Sequence, residues 1–280
     1  MGRRVPEGHT LHRLATALGD AFAGHRVGAS SPQGRFAESA ALLDGRVLGS
    51  TEAYGKHLFV TFDEIDVVHV HLGLYGRFDV HTGVDEVPDP VGQVRWRLTS
   101  ATAYADLRGA TACELFTPAE REAMLARLGP DPLRPDADPD AAWARISRSR
   151  APIGGLLMDQ SVVAGIGNVY RAELLFRHRV DPLRPGRTLR ARQWSEMWDD
   201  LVGLMADGVR TGRIDTVRPE HLTDAEIAHR GPRRGRSYVY RRAGDPCRVC
   251  GTRVRVAVLQ GRNLYWCAKC QRRFRGVAAS

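Results

Sequence analysis

No stretch of the 280 residues approaches the roughly eighteen consecutive apolar positions that a membrane-spanning helix needs. The basic N-terminus also lacks the apolar core of a secretory signal, so a cytoplasmic protein without membrane attachment is expected. Lysine is scarce, and arginine supplies nearly all of the positive charge. Cysteine is sparse as well: there are five, and four of them form two close pairs near the C-terminus. A cytoplasmic setting argues against disulfides, and two matched pairs argue against a lone redox motif. No internal repeat is evident.

What is present is a folded, mixed composition. Hydrophobic residues make up 43% of the chain and charged residues 26%, which suits two domains of ordinary size plus a small module. The net charge of +9 and a pI near 9.8 point toward a polyanionic partner, although abundant alanine, glycine and arginine together also follow from a GC-rich genome. Leu11, Leu14, Ala15 and Leu18 recur at helical spacing, with Gly24 as a stop. From there to about residue 115, short strand-like runs are punctuated by glycine about every ten residues, the pattern of a sandwich or barrel. The proline- and aspartate-rich "GPDPLRPDADPD" (129–140) reads as a linker. Residues 141–210 read as mostly helical. Residues 211–242 are polar and basic, with Arg230, Arg233, Arg234, Arg236, Arg241 and Arg242, and read as a flexible or phosphate-facing segment. The expectation is an α+β multidomain chain, with an N-terminal β-sandwich and flanking helix (6–128), the linker, a helical domain carrying the basic loop (141–242) and a C-terminal β-hairpin module (243–272).

The strongest local signal is Cys247 and Cys250 in "CRVC" followed by Cys267 and Cys270 in "CAKC". Each pair puts two thiolates on one tight turn, and the four suit one closed, tetrahedral structural zinc per chain. Such a metal holds a hairpin and does no chemistry. The intervening "VAVLQGRNLYW" reads as strand, turn, strand, with Arg262 near the tip, either solvated or presented rigidly as a phosphate ligand. The fifth cysteine, Cys113, reads as a buried free thiol.

Weaker signals precede it. In "AGIGNVYRAELLF", Gly165 and Gly167 allow a tight bend and Asn168 falls at a helix N-terminus, where amides and dipole favour an anion; a capped helical hairpin accounts for it equally. Lys56 in "YGKHLFV" starts an apolar strand. His69 and His71 alternate on one strand face without an evident third ligand. Pro6-Glu7-Gly8 has two readings. Proline and a carboxylate suit a helix start, whereas a proline at a true N-terminus carries a nucleophilic secondary amine.

Together, "PEGHTLHR", "YGKHL", "HLGLYG", "LLMDQSVVAGIGNVYRAELLF" and "GRNLYWCAKCQ" resemble, in the same order, the motifs of the formamidopyrimidine-DNA glycosylase and endonuclease VIII family of base-excision repair. The resemblance runs from Pro6 to about Gln271 and is nearest to the actinobacterial endonuclease VIII branch. It implies a helix–two-turn–helix domain and a zinc finger, acting as a monomer on double-stranded DNA that contains damaged bases or abasic sites. It further implies a bifunctional glycosylase/AP lyase for oxidised pyrimidines, with Pro6 as the nucleophile and Glu7 as the acid/base. Lys56, Asn168 and Arg262 would hold phosphates around the lesion, where positioning contributes to rate. Leu74 and Tyr75 match the loop that fills the space of a flipped nucleotide, and Leu72 matches either that loop or a buried strand position.

One departure stands out: "MGRRV" precedes Pro6, and a proline inside the chain is a tertiary amide that cannot attack. A start at Val5, through a GTG codon read as methionine and later removed, would expose the amine. Rival readings are the oxidised-purine specificity of the sister branch, a damaged-DNA-binding protein without catalysis, and a zinc-ribbon transcription or RNA-binding factor. The last leaves Pro6, Glu7 and Lys56 without a purpose.

Overall fold

The computed structural model describes residues 6–224, 226 and 236–275. The chain divides into two compact units between Arg127 and Leu128.

In the first unit, α1 (Gly8–Phe22) buries Leu11, Leu14, Ala15, Leu18 and Phe22, the face that its spacing dictates, and the chain turns away at Gly24 (φ +77°). Nine strands follow, interrupted by α2 (Ala37–Leu43). They are β1 (His25–Arg26), β2 (Gly28–Ser30), β3 (Val47–Tyr54), β4 (His57–Phe62), β5 (Asp66–His71), β6 (Arg77–Thr82), β7 (Trp96–Thr99), β8 (Ala103–Arg108) and β9 (Ala112–Phe116). They form two open antiparallel sheets, of order β1-β3-β4-β5-β9 and β2-β7-β8-β6. Period-two alternation sends Leu58, Val60, Phe62, Val68 and Val70 from one sheet and Trp96, Leu98, Ala105 and Leu107 from the other into one core shared with α1. This is the expected β-sandwich with a flanking helix, and neither sheet closes into a barrel. Cys113 is buried in it as a free thiol.

The outer face of β4 and β5 carries His57, His69 and His71. His57 Nδ1 and His69 Nε2 share a hydrogen bond of 2.9 Å, His69 stacks on Phe116, and α3 (Pro118–Leu125) sends Arg121 over Phe59 beside it. The sequence paired His69 with His71; the strand register adds His57, opposite His71.

The second unit contains α4 (Pro139–Ile146), α5 (Ile153–Leu156), α6 (Asn168–Arg177), α7 (Ala191–Thr211) and the hairpin β10 (Arg255–Leu259) and β11 (Arg262–Trp266). Trp194, Met197, Trp198, Leu201, Leu204 and Met205 of α7 pack with Tyr170, Leu174 and Leu175 of α6 in the helical core. A second cluster joins Ala172 and Phe176 of α6 to Tyr238, Val239 and the knuckle residues Cys247 and Cys267. The stretch read as a linker is packed within this unit. The Gly129 amide donates to Gln160 O at 2.9 Å, the Ala164 amide donates to Pro130 O at 3.0 Å, and Asp131 is buried.

The basic segment also differs from its sequence reading. Arg230, Arg233 and Arg234 lie outside the described residues, but Thr216 and Tyr238 are buried. The reason is Glu173 on α6. Its buried carboxylate accepts from the Tyr238, Val239 and Tyr240 amides at 2.6, 2.9 and 2.8 Å, and from the Thr216 hydroxyl. Four donors on one carboxylate fasten both arms of the segment to the helix.

Burial, followed by the neighbouring imidazoles, pushes His57 down to about 3 and His69 to about 4. Both remain neutral in the fold where an unfolded chain, with histidine near 6.5, binds protons. Stability is therefore fully present above about pH 6.5 and is lost as the pH falls toward 4, by up to about 1.4 kcal/mol per pH unit for each such group. Thermal melts of the first unit between pH 7 and 5 should show a falling Tm, and His69→Phe should flatten that slope. An unchanged slope in the variant would contradict this assignment.

Candidate functional site

Pro6 is partly exposed and lies just ahead of the N-cap of α1, and Glu7 is that N-cap, in an extended conformation. Its carbonyl accepts from the Thr10 amide at 2.8 Å, but its side chain makes no capping hydrogen bond. Glu7 is nevertheless completely buried. A carboxylate costs free energy to bury and is retained where it has partners or work. Hydrogen-bonded capping by the side chain therefore does not account for the burial of this carboxylate. Residues 1–5, and with them the question of the start site, lie outside the described residues.

Lys56 belongs to the same unit. It sits in the two-residue turn of the β3–β4 hairpin rather than in the strand that follows: Tyr54 pairs with His57, and Gly55 (φ +57°) supplies the left-handed turn position. The tip of a hairpin is a rigid mount for a cation. The positive charge of Lys56 reaches His57 and His71, both held below the usual imidazole range first by burial and then by neighbouring charge.

Leu74 and Tyr75 lie in the loop from β5 to β6, which crosses from one sheet to the other. The Gly76 amide closes it on Leu72 O at 2.9 Å, so closely that a Cβ on Gly76 would stand 2.3 Å from that oxygen. Gly73 has φ +67°. The two glycines fold the loop so that Leu74 and Tyr75 project, 38% and 69% exposed, while Leu72 is only 2% exposed and belongs to the core. The intercalating role suggested for Leu72 is therefore corrected to a packing one.

In the second unit, the motif around Asn168 forms short α5, a turn containing Gly165 at φ +89°, and α6 capped at Gly167. Asn168 occupies the first position of α6, where backbone amides point outward. Asn168 Nδ2 donates to Asn263 O at 2.9 Å, so the residue after Arg262 is bonded to the start of α6. The structure thus brings Asn168 and the tip of the hairpin together. Arg171 and Glu173, three and five residues past Asn168, drew no role from the sequence. The available signal was charge in the middle of a helix whose other residues are nearly all apolar.

The hairpin itself is held from below. Cys247, Cys250, Cys267 and Cys270 bring their sulfurs within 4.8 Å of one another, with Cys250–Cys267 at 3.4 Å and Cys247–Cys270 at 3.9 Å. A disulfide would need about 2.05 Å. A tetrahedral zinc with Zn–S near 2.3 Å sets its sulfurs about 3.8 Å apart, so the donor set fits that ion. Burial pushes the Cys247 and Cys270 thiols up, and four thiolates at this spacing need a cation to hold their charge. Gln271, also buried, accepts from the Cys267 amide at 3.0 Å and donates to Val180 O at 2.9 Å, which moors the knuckle to the chain after α6. Elemental analysis should find one zinc per chain. Chelation should abolish hydrogen-exchange protection across residues 244–271 while leaving the first unit's strands protected. Equal protection with and without chelator would contradict a structural metal.

Three family models match the chain: the formamidopyrimidine-DNA glycosylase N-terminal domain over residues 5–113, the H2TH domain of the same glycosylase over 128–219, and the zinc finger found in FPG and IleRS over 244–273. The chain is 56% identical over 269 residues to Endonuclease 8 1 of Mycobacterium bovis, covering 95% of this chain and 100% of that protein. It is 32% identical to the formamidopyrimidine-DNA glycosylase of Geobacillus kaustophilus, over 83% of this chain and 84% of the relative. Its fold matches that of Lactococcus lactis Fpg, solved with abasic-site DNA, with a TM-score of 0.78 at 18% identity over 95% and 100% of the two chains. By identity carried across almost its whole length, the chain belongs to the formamidopyrimidine-DNA glycosylase/endonuclease VIII family.

Proposed function

We propose that this protein is a bifunctional DNA glycosylase/AP lyase that removes oxidised pyrimidines from double-stranded DNA and cleaves the strand at the resulting site. The observation that carries the reading is Glu7, a fully buried carboxylate at the start of α1 that directly follows a proline. In the active form Pro6 is the N-terminal residue and its secondary amine is free. Its nitrogen bonds to C1′ of the damaged nucleotide as the bond from C1′ to the base breaks, and the base leaves with that electron pair and a proton. Glu7 passes protons at the opening sugar ring. The resulting iminium is an electron sink that acidifies the adjacent C2′ hydrogen. Loss of that proton expels the 3′ phosphate by β-elimination, a second elimination expels the 5′ phosphate, and water releases Pro6.

The remaining residues have roles that suit their mounts. Lys56, Asn168 and Arg262 bind phosphates flanking the lesion, and Leu74 with Tyr75 fills the space of the flipped nucleotide. The names of the relatives support a DNA repair glycosylase, and 56% identity to an endonuclease 8 aligns the chain with the branch whose resemblance implies pyrimidine lesions. We further propose domain limits of 6–128, 141–242 and 243–272, with 129–140 packed onto the helical domain as its lead-in, and a monomer acting at the bacterial nucleoid in the cytoplasm. Among the described residues no helix is long and apolar enough to cross a membrane.

The test is strand cleavage by protein beginning at Pro6, on duplexes carrying thymine glycol or 8-oxoguanine. Thymine glycol should be processed faster. Preference for 8-oxoguanine would replace the pyrimidine reading with the purine one, and tight binding without cleavage would establish the binding-protein rival. Glu7→Gln should slow base excision by roughly 10²- to 10⁴-fold while leaving duplex affinity within a few-fold. A Glu7→Gln enzyme of normal rate would remove Glu7 from the chemistry.

A further inference from the structure

Arg171 lies one turn into α6 and is completely buried. Its guanidinium meets three elements. Nη2 donates to Asn263 O on β11 at 3.0 Å and to the side-chain oxygen of Asn168, and Nη1 donates to Gly154 O on α5 at 3.3 Å. The hairpin turn closes on α5 beside it. A Cβ on Gly155 would stand 2.8 Å from Gln260 Oε1, and one on Gly154 3.3 Å from Leu259 Cδ2. Asn168 Nδ2 donates to the same Asn263 carbonyl. Arg171, Asn168 and the backbone beside Arg262 therefore form one closed set of hydrogen bonds.

We infer that Arg171 is the positioning residue of the phosphate clamp, setting both Asn168 and Arg262 without touching DNA itself. The inference rests on the reading of Asn168 and Arg262 as phosphate ligands. An asparagine amide has two ends: its NH₂ attracts a phosphate oxygen and its carbonyl repels one. A guanidinium carries only donors, so it takes the carbonyl end of Asn168 and fixes the amide with one Nδ2 proton on Asn263 O, which leaves the second proton for an anion. The same guanidinium grips the carbonyl that follows Arg262, so the hairpin cannot shift relative to α6. Its charge also stands behind the first turn of α6, where an anion is favoured by the helix dipole. Lysine, a point charge without a planar fork, reproduces the charge but not the three-way geometry.

The experiment is a mutant cycle on protein beginning at Pro6, with abasic-site duplex as substrate and zinc content and Tm measured alongside. Arg171→Gln should raise KM about tenfold, the scale of lost hydrogen bonds to a charged group, with kcat within about twofold. Arg171→Lys should fall between Arg171→Gln and the unaltered protein. In an Asn168→Ala/Arg262→Ala background, Arg171→Gln should change KM by less than about twofold, because what it positions is already gone. An equal loss in both backgrounds, or an unchanged KM for Arg171→Gln, would overturn the inference. An unchanged KM in Asn168→Ala/Arg262→Ala itself would instead overturn the clamp reading and the inference with it. Should Arg171→Gln fail to fold, Arg171→Lys carries the same cycle.

Discussion

A hairpin of two five-residue strands is marginal in water at best, and here residues 255–258 of one strand are exposed. What makes it a rigid object is the set of four sulfurs beneath it. With the knuckles closed by a metal, Gln271 fixes them to the chain after α6, and Arg171 and Asn168 fix the tip to the start of the same helix. The hairpin is thus attached at both ends of α6. Glu173, midway along, holds Tyr238, Val239 and Tyr240 from the segment that leads into the knuckle. One ten-residue helix therefore organises the C-terminal unit, and it does so through two charged side chains that it buries.

The first unit follows a different economy of parts. Its sandwich is an apolar core with ordinary alternation, and the residues proposed for the chemistry sit where strands and helices begin or turn: Pro6 and Glu7 at the start of α1, Lys56 in a tight hairpin, Leu74 and Tyr75 on a glycine-folded loop. Each is held by backbone geometry that the neighbouring core enforces. Short turns on a packed sheet leave little freedom to lose on binding, which favours precise placement around a sugar.

Much of this was legible in the sequence because it depends on local rules. Helical spacing gave α1, short runs punctuated by glycine gave the sandwich, and paired cysteines gave the zinc knuckles. Lys56 was placed in a strand because its apolar neighbours dominate the pattern, whereas the turn depends on the pairing of Tyr54 with His57. Leu72 and Leu74 are the same residue type two positions apart in one motif, and only the Gly76–Leu72 closure separates core from surface. The roles of Arg171 and Glu173 were hidden for a related reason: decisive partners lie 92 and 65 residues away, at Asn263 and Tyr238. Composition marked residues 211–242 as a loose basic segment, and a single distant carboxylate makes its described arms part of the packed unit.

The central claim is that the nitrogen of Pro6 bonds to the sugar. Borohydride reduces an iminium to a stable amine, so it converts that transient bond into a permanent crosslink. Protein beginning at Pro6 and the chain as written would each be treated with borohydride on a thymine glycol duplex, and any crosslinked peptide mapped. The account predicts a crosslink at Pro6 in the form that begins there and none in the longer chain. A crosslink at a lysine, or none in either form while DNA binding persists, would contradict it.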